Sequence, residues 1–122
     1  MQMTQRQDPV TAQITSTEVR DESTIISAKA DMGRYGRVRF TINLESSADG
    51  ASGGAYGGGQ GALEDGTLVC GTFAGRWRRD GTEFVVHGID EVTNGDMSYI
   101  VFRLDARGDE VTVTHYELAA DA

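Results

Sequence analysis

Hydrophobic and polar residues alternate along most of this chain, the pattern of a β-strand with one buried and one exposed face. The clearest case is 37–45, where Val38, Phe40, Ile42 and Leu44 alternate with polar residues. Helical periodicity is nearly absent, so the pattern predicts an all-β protein. Eight segments are alternating or otherwise strand-like: 10–19, 23–31, 37–45, 52–63, 67–77, 82–89, 97–104 and 110–118.

Short turns separate the predicted strands. Asp65-Gly66, Asp80-Gly81 and Asn94-Gly95 are hairpin sequences, in which glycine accepts a positive φ. Consecutive hairpins leave little room for long crossovers, and no helix is available to cover an open sheet edge. The sequence therefore predicts a single antiparallel meander β-barrel of about eight strands, with a β-sandwich as the alternative.

The length of 122 residues fits one domain. We expect a flexible N-terminal tail over 1–9, the β-barrel domain over 10–118 and a flexible C-terminal tail over 119–122. The loop 46–52 is the longest connection and consists of small and polar residues.

Composition and charge limit the expected partners. The net charge of −8 makes nucleic acid an unfavourable partner, and no apolar run reaches the roughly 20 residues of a membrane-spanning helix. The N-terminal sequence is polar, unlike a secretory signal, and Cys70 is the only cysteine. We therefore predict an acidic cytoplasmic protein without nucleic-acid or membrane partners, and the ten arginines to one lysine suggest a bacterial source. Homodimer formation stays open.

Cofactor motifs are missing from the chain. The glycine run 57–61 is followed by a turn rather than by the helix that a phosphate loop requires. His87 and His115 do not have the spacing of metal ligands. Cys70 lacks an activating motif and is expected to be a small buried residue. The sequence thus predicts no metal and no nucleotide cofactor.

Residues 53–88 combine a Gly/Tyr strand, an Asp-Gly turn, a Gly-Thr-Phe…Trp strand and a second Asp-Gly turn. In this layout the chain resembles the small calycin-type β-barrels, most closely the bacterial proteins that are allene-oxide-cyclase-like or lipocalin-like. The Gly-x-Trp sequence of lipocalins is missing near the first strand, since Trp77 lies mid-chain. The resemblance implies a cavity for an apolar small molecule, and in some members a cyclase activity.

Candidate site residues are polar and aromatic side chains on the predicted strands. A histidine or tyrosine beside a bound molecule can polarise or protonate an oxygen, which makes His87, Tyr99 and Tyr56 the candidate catalytic residues. Which strand face points inward stays open, because a shift of one residue inverts it. The candidate ligand-binding residues are Arg39, Gln60, Trp77, Arg103 and Tyr116.

Three functions are compatible with this pattern. The first is a small-molecule-binding barrel that acts as an isomerase or cyclase on an apolar metabolite, without metal or nucleotide. The second is a non-catalytic binding or carrier barrel. The third is a structural or interaction module whose interior is filled with side chains.

Overall fold

Eight antiparallel strands form one closed barrel in the computed structural model, which describes residues 3–118. Each strand pairs with the next along the chain, and β1 pairs with β8 to close the sheet. The predicted meander barrel is therefore confirmed, and the sandwich alternative is wrong. The strands are β1 Val10–Val19, β2 Ser23–Asp31, β3 Arg37–Glu45, β4 Ser52–Ala62, β5 Leu68–Asp80, β6 Glu83–Val92, β7 Met97–Asp105 and β8 Glu110–Glu117.

The interior is filled at mid-height. The alternating residues of β3, from Val38 to Leu44, point inward and are buried, as the pattern predicts. Ile42, Val86 and Val111 are each 0% exposed and form what we call the central layer. An eight-stranded barrel is just wide enough for side chains to fill, so this layer divides the interior into two halves.

The turns follow the sequence closely. Gly66 and Gly81 have φ values of 90° and 61°, as the two Asp-Gly hairpins require. Between β2 and β3 the chain forms one 3-10 turn, Gly33–Tyr35, which the strand pattern did not indicate. None of the described residues belongs to a helix long and apolar enough to cross a membrane.

The two ends of the barrel differ in their connections. The turns β1–β2, β3–β4, β5–β6 and β7–β8 surround one end, which we call the mouth. The turns β2–β3, β4–β5 and β6–β7 surround the other, which we call the closed end.

Residues 3–9, the N-terminal segment, lie at the closed end. The Glu117 amide donates to the Thr4 carbonyl at 2.8 Å, and the Arg6 amide donates to the His115 carbonyl at 2.9 Å. The segment thus continues the pairing of β8, and the flexibility that the sequence predicts for residues 1–9 stays a prediction. The predicted C-terminal tail, 119–122, lies outside the described residues.

Candidate functional site

The mouth contains a cavity of about 410 Å³. Its wall on β5, β6 and β7 is apolar and consists of Trp77, Phe84 and Leu104. Across the cavity, β1 and β2 contribute further apolar side chains, including Ile14 and Ile26. The central layer closes the floor, so a molecule can enter from the mouth without displacing the core.

Trp77 is held in place by its own hydrogen bond. The indole N–H donates to the Glu45 carbonyl at 2.9 Å, and its ring lies 5.4 Å from that of Phe84. A Cβ at Gly53 would lie 2.7 Å from the indole nitrogen, so glycine is needed there for the ring to pack against β4. The indole is therefore a fixed part of the cavity wall.

The rim of the mouth carries neutral hydroxyls and one carboxylate. Thr17, Thr24, Ser46 and Ser47 line the side formed by β1, β2 and the β3–β4 loop. Asp105 is the titratable residue among the lining side chains that the structure describes. A hydrogen bond from the backbone N–H of the β7–β8 turn, and then one from a neighbouring threonine hydroxyl, hold the pKa of Asp105 below its usual range.

A network of charged and polar side chains occupies the closed end. The Arg6 side chain is 1% exposed, and its Nη1 lies 3.6 Å from Asp96 Oδ1. Arg6 Nε donates to Ser98 Oγ at 3.1 Å, while Arg34 Nε approaches Asp96 Oδ2 at 3.3 Å. The Tyr35 hydroxyl donates to Asp96 Oδ2 at 2.9 Å. Burial, and then this bond to a carboxylate, raise the pKa of Tyr35.

Between this network and the central layer lies a second space, the inner cavity, of about 60 Å³. Three phenyl rings line it, with Phe102 at 5.7 Å from Phe40 and 4.9 Å from Phe73. Asp90 from β6 and His115 from β8 are the ionisable groups that reach it alongside the Tyr35 ring.

Asp90 and His115 face each other, with His115 Nε2 at 3.9 Å from Asp90 Oδ2. Burial raises the pKa of Asp90 to about 6. Burial, and then the Arg6 charge, lower the pKa of His115 to about 4. At neutral pH the pair is therefore a carboxylate beside a neutral imidazole. No residue in the described range 3–118 provides a hydrogen-bond partner for His115 Nδ1.

The strand register separates the predicted site residues. Trp77 points inward and lines the mouth. The other seven point outward and line neither cavity, because each lies one residue out of phase with the buried positions of its strand. Of the eight predicted residues, Trp77 is thus the one that lines a cavity, and the roles of all eight in binding or catalysis stay predictions. These seven are Arg39, Tyr56, Gln60, His87, Tyr99, Arg103 and Tyr116.

Some of these outward residues do meet on the barrel wall. His87 Nδ1 is hydrogen-bonded to the Tyr99 hydroxyl, and the two rings are stacked with centroids 5.7 Å apart. The Tyr116 ring lies 6.0 Å from that of Tyr99. Partial burial, followed by two neighbouring arginine charges, lowers the pKa of His87. Cys70, expected to be buried, also faces outward and is exposed.

The polar residues of the interior are not among the predicted catalytic and ligand-binding residues. Asp90 has the same phase as Val86 and Val92, so strict alternation would have placed it inside the barrel. His115 has the phase of Val111 and Val113 in the same way. Arg6 lies before the first strand, and no pattern in the sequence indicates that its side chain is buried.

Comparison with protein-family models, with curated proteins and with solved structures finds no match for this chain. The closed antiparallel barrel is consistent with the calycin-like architecture that residues 53–88 suggest.

Proposed function

We propose that this protein binds an apolar small molecule in the mouth of the barrel and carries it without chemical change. The observation that supports this function most directly is the volume of about 410 Å³ behind an apolar wall. Ligand pockets in proteins begin at about 300 Å³ and combine apolar walls with a few polar groups. The mouth meets both conditions. A cytoplasmic location, expected from the sequence, is part of the same proposal.

Carriage is favoured over an isomerase or cyclase activity by the chemistry of the mouth. General acid–base catalysis needs a group whose proton moves readily near the working pH. Asp105 is the titratable group among the described lining residues, and its hydrogen bonds keep it ionised. The hydroxyls of Thr17 and Thr24 can orient a ligand but are poor proton donors. A module filled throughout is disfavoured, because side chains fill the middle of the barrel and leave the mouth open.

The same groups suggest the class of ligand. An anionic ligand would meet the Asp105 carboxylate with no lysine or arginine among the described residues that line the mouth. A neutral ligand can place its apolar body against Trp77 and Phe84 and an oxygen near the threonine and serine hydroxyls. We therefore expect a neutral, largely apolar molecule that carries a hydroxyl or carbonyl group.

The test uses the neutral dye Nile red, whose emission rises in apolar surroundings. It compares two variants in which an alanine is replaced by tryptophan. Ala106→Trp fills the mouth and should weaken dye binding at least about tenfold, the factor that 1.4 kcal/mol of lost contact gives. Ala74→Trp adds the same ring on the outer face of β5 and should leave binding unchanged. Native mass spectrometry of the purified protein then looks for a retained molecule. Equal dye binding in both variants would contradict the proposal.

A further inference from the structure

Two buried polar groups in the inner cavity lack the partners that buried polar groups normally have. Asp96, nearby, is paired with Arg6 and Arg34 and accepts a hydrogen bond from Tyr35. Asp90 is 6% exposed, yet no arginine or lysine of residues 3–118 lies within salt-bridge distance of it. An uncompensated buried charge is strongly destabilising, so this carboxylate indicates a ligand of opposite charge.

The neighbouring imidazole points to the same conclusion. His115 is 3% exposed, and its Nδ1 has no partner in the described part of the chain. With Nε2 facing Asp90 at 3.9 Å, the proton belongs on Nε2, which leaves Nδ1 as an acceptor. The neutral imidazole therefore gives Asp90 no positive charge, and its Nδ1 is itself buried, so the group that complements this cavity is a donor to the Asp90 carboxylate.

Water alone is a poor occupant of this cavity. A volume of about 60 Å³ exceeds the roughly 10–15 Å³ that a single water requires, so the cavity has room for several waters. Each buried water needs two to four polar partners, but the remaining wall consists of phenyl rings, aliphatic side chains and glycine. One molecule with a polar head and a short apolar tail satisfies the acceptors and covers the rings together.

We propose that the inner cavity is a second binding site, which takes a small primary ammonium ion with a short apolar tail. The ammonium group donates to the Asp90 carboxylate, beside the His115 ring. Its tail lies against the rings of Phe40, Phe73 and Phe102, whose faces also attract a cation. This site is separated from the mouth by the central layer and does not depend on the proposed carrier function.

The charges around the site favour a cation over an anion. The positive charges nearest the site are Arg6 and Arg34, which both lie against Asp96; Arg6 also lowers the pKa of Asp90, but neither arginine is within salt-bridge distance of that carboxylate. The other ionisable groups that face the site are His115 from β8, neutral at this pH, and the Tyr35 phenol from the β2–β3 turn. A carboxylate ligand would place a second negative charge beside Asp90 in surroundings of low dielectric constant, which is unfavourable.

The experiment follows the ring C–H signals of the two histidines by NMR while propylammonium is added at about pH 7.5, where Asp90 is ionised. His115 should shift and saturate, and His87, on the outer wall, serves as the internal control in the same spectrum. 1-Propanol and propanoate are matched ligands of the same length, and each should bind at least about tenfold more weakly.

Two variants test the role of the carboxylate. Asp90→Asn keeps the size of the side chain and removes its charge, so propylammonium binding should fall at least about tenfold. Glu91→Gln, one residue along on the outward face of β6, should bind as the unmodified protein does. If Asp90→Asn does not fold, the unmodified protein at about pH 5 provides the same test. Asp90 is then largely protonated while the amine stays charged.

Three results would overturn the proposal. The first is a His115 signal that does not respond to propylammonium, and the second is an equal response to 1-propanol. The third is full binding by Asp90→Asn. The Ala106→Trp variant separates the two sites, because it should weaken dye binding at the mouth at least about tenfold and leave the His115 response intact.

Discussion

The mouth and the closed end are built by the same eight strands but differ in where their polar side chains lie. At the mouth the polar side chains are mostly short hydroxyls at the rim, and the cavity below them has an apolar wall. At the closed end, charged and polar side chains are buried in the interior, namely Arg6, Asp90, Asp96 and His115. The difference arises from the N-terminal segment, which lies only at the closed end and contributes Arg6 to the network there.

This comparison shows what closing a barrel end requires. Inward side chains can fill the middle of a narrow barrel, as Ile42, Val86 and Val111 do. The end of the barrel also contains turns and polar backbone groups, and burying them requires compensating hydrogen bonds. Arg6 meets part of this requirement by bonding Ser98 and the Met97 carbonyl. The mouth has no equivalent segment among the described residues and stays open to ligand.

The largest expected effect on stability comes from replacing Arg6 at the closed end, and Arg79 at the mouth is the matched comparison. Arg6→Ala removes the buried arginine partner of Asp96, which keeps Arg34, together with the hydrogen bond to Ser98, and should lower the free energy of unfolding by about 3 kcal/mol. Arg79→Ala, at the mouth, removes bonds from an exposed guanidinium to the Gly50 and Gly81 carbonyls and should lower it by less than about 1 kcal/mol. Denaturation by urea at neutral pH measures both.

The ratio of the two losses is the informative quantity. If Arg6→Ala and Arg79→Ala destabilise equally, the N-terminal segment does not hold the closed end, and the contrast between the ends fails. A loss near zero for Arg6→Ala would make residues 3–9 the flexible tail that the sequence predicts.

The second prediction concerns pH and affects the closed end. The pKa of Asp90 is raised to about 6, so the folded state binds its proton more tightly than the unfolded state, and this stabilisation is lost as pH rises through about 6. The pKa of His115 is lowered to about 4, so its contribution is lost as pH falls from about 6.5 through 4. The two contributions oppose each other between about pH 4 and 6.

Removing either group should therefore leave the pH dependence of stability that the other group contributes. Asp90→Asn should make stability rise more steeply with pH across this window, and His115→Gln should make it flatten or fall. Across this window, the free energy of unfolding of each variant should depart from that of the unmodified protein by on the order of 3 kcal/mol, because the pKa of each group differs by about two units between the folded and unfolded states. Asp105→Asn at the mouth is the control: because the pKa of Asp105 lies below its usual value, this variant should change the slope of stability against pH only below about pH 4. Parallel profiles for the two closed-end variants would contradict the assignment.

The fold was predictable because one strand face is unambiguous in parts of the sequence. In β3, four apolar residues alternate with arginine, threonine and asparagine, so only one register buries the apolar set. The Asp-Gly turns then determine which strands are neighbours. Closure of the sheet follows, because consecutive hairpins leave two edges that can satisfy each other.

The site was less predictable, because in β6 and β7 both faces are apolar. Val85 and Val101 point outward and are nevertheless 6% and 8% exposed, since side chains on the barrel wall cover them. Alternation therefore gives no clear inner face there, and the prediction of His87 and Tyr99 as site residues rests on their chemistry rather than on their phase. The volume of the mouth depends on how far neighbouring side chains fill the end of the barrel, which strand patterns do not determine.

The smallest expected effect tests whether binding belongs to the ends of the barrel or to its wall. His87→Ala and Tyr99→Phe remove the hydrogen-bonded pair on the outer face of β6 and β7, which touches neither cavity. We expect Nile red affinity at the mouth and the His115 response to propylammonium to stay within about twofold of the unmodified protein, a change of about 0.4 kcal/mol. A Trp77→Phe variant, measured alongside, should weaken dye binding because Trp77 lines the mouth. If the wall variants weakened dye binding more than Trp77→Phe did, the original prediction of His87 and Tyr99 as site residues would be favoured over the mouth. The inward phase of a strand residue would then be a poor guide to function in this barrel.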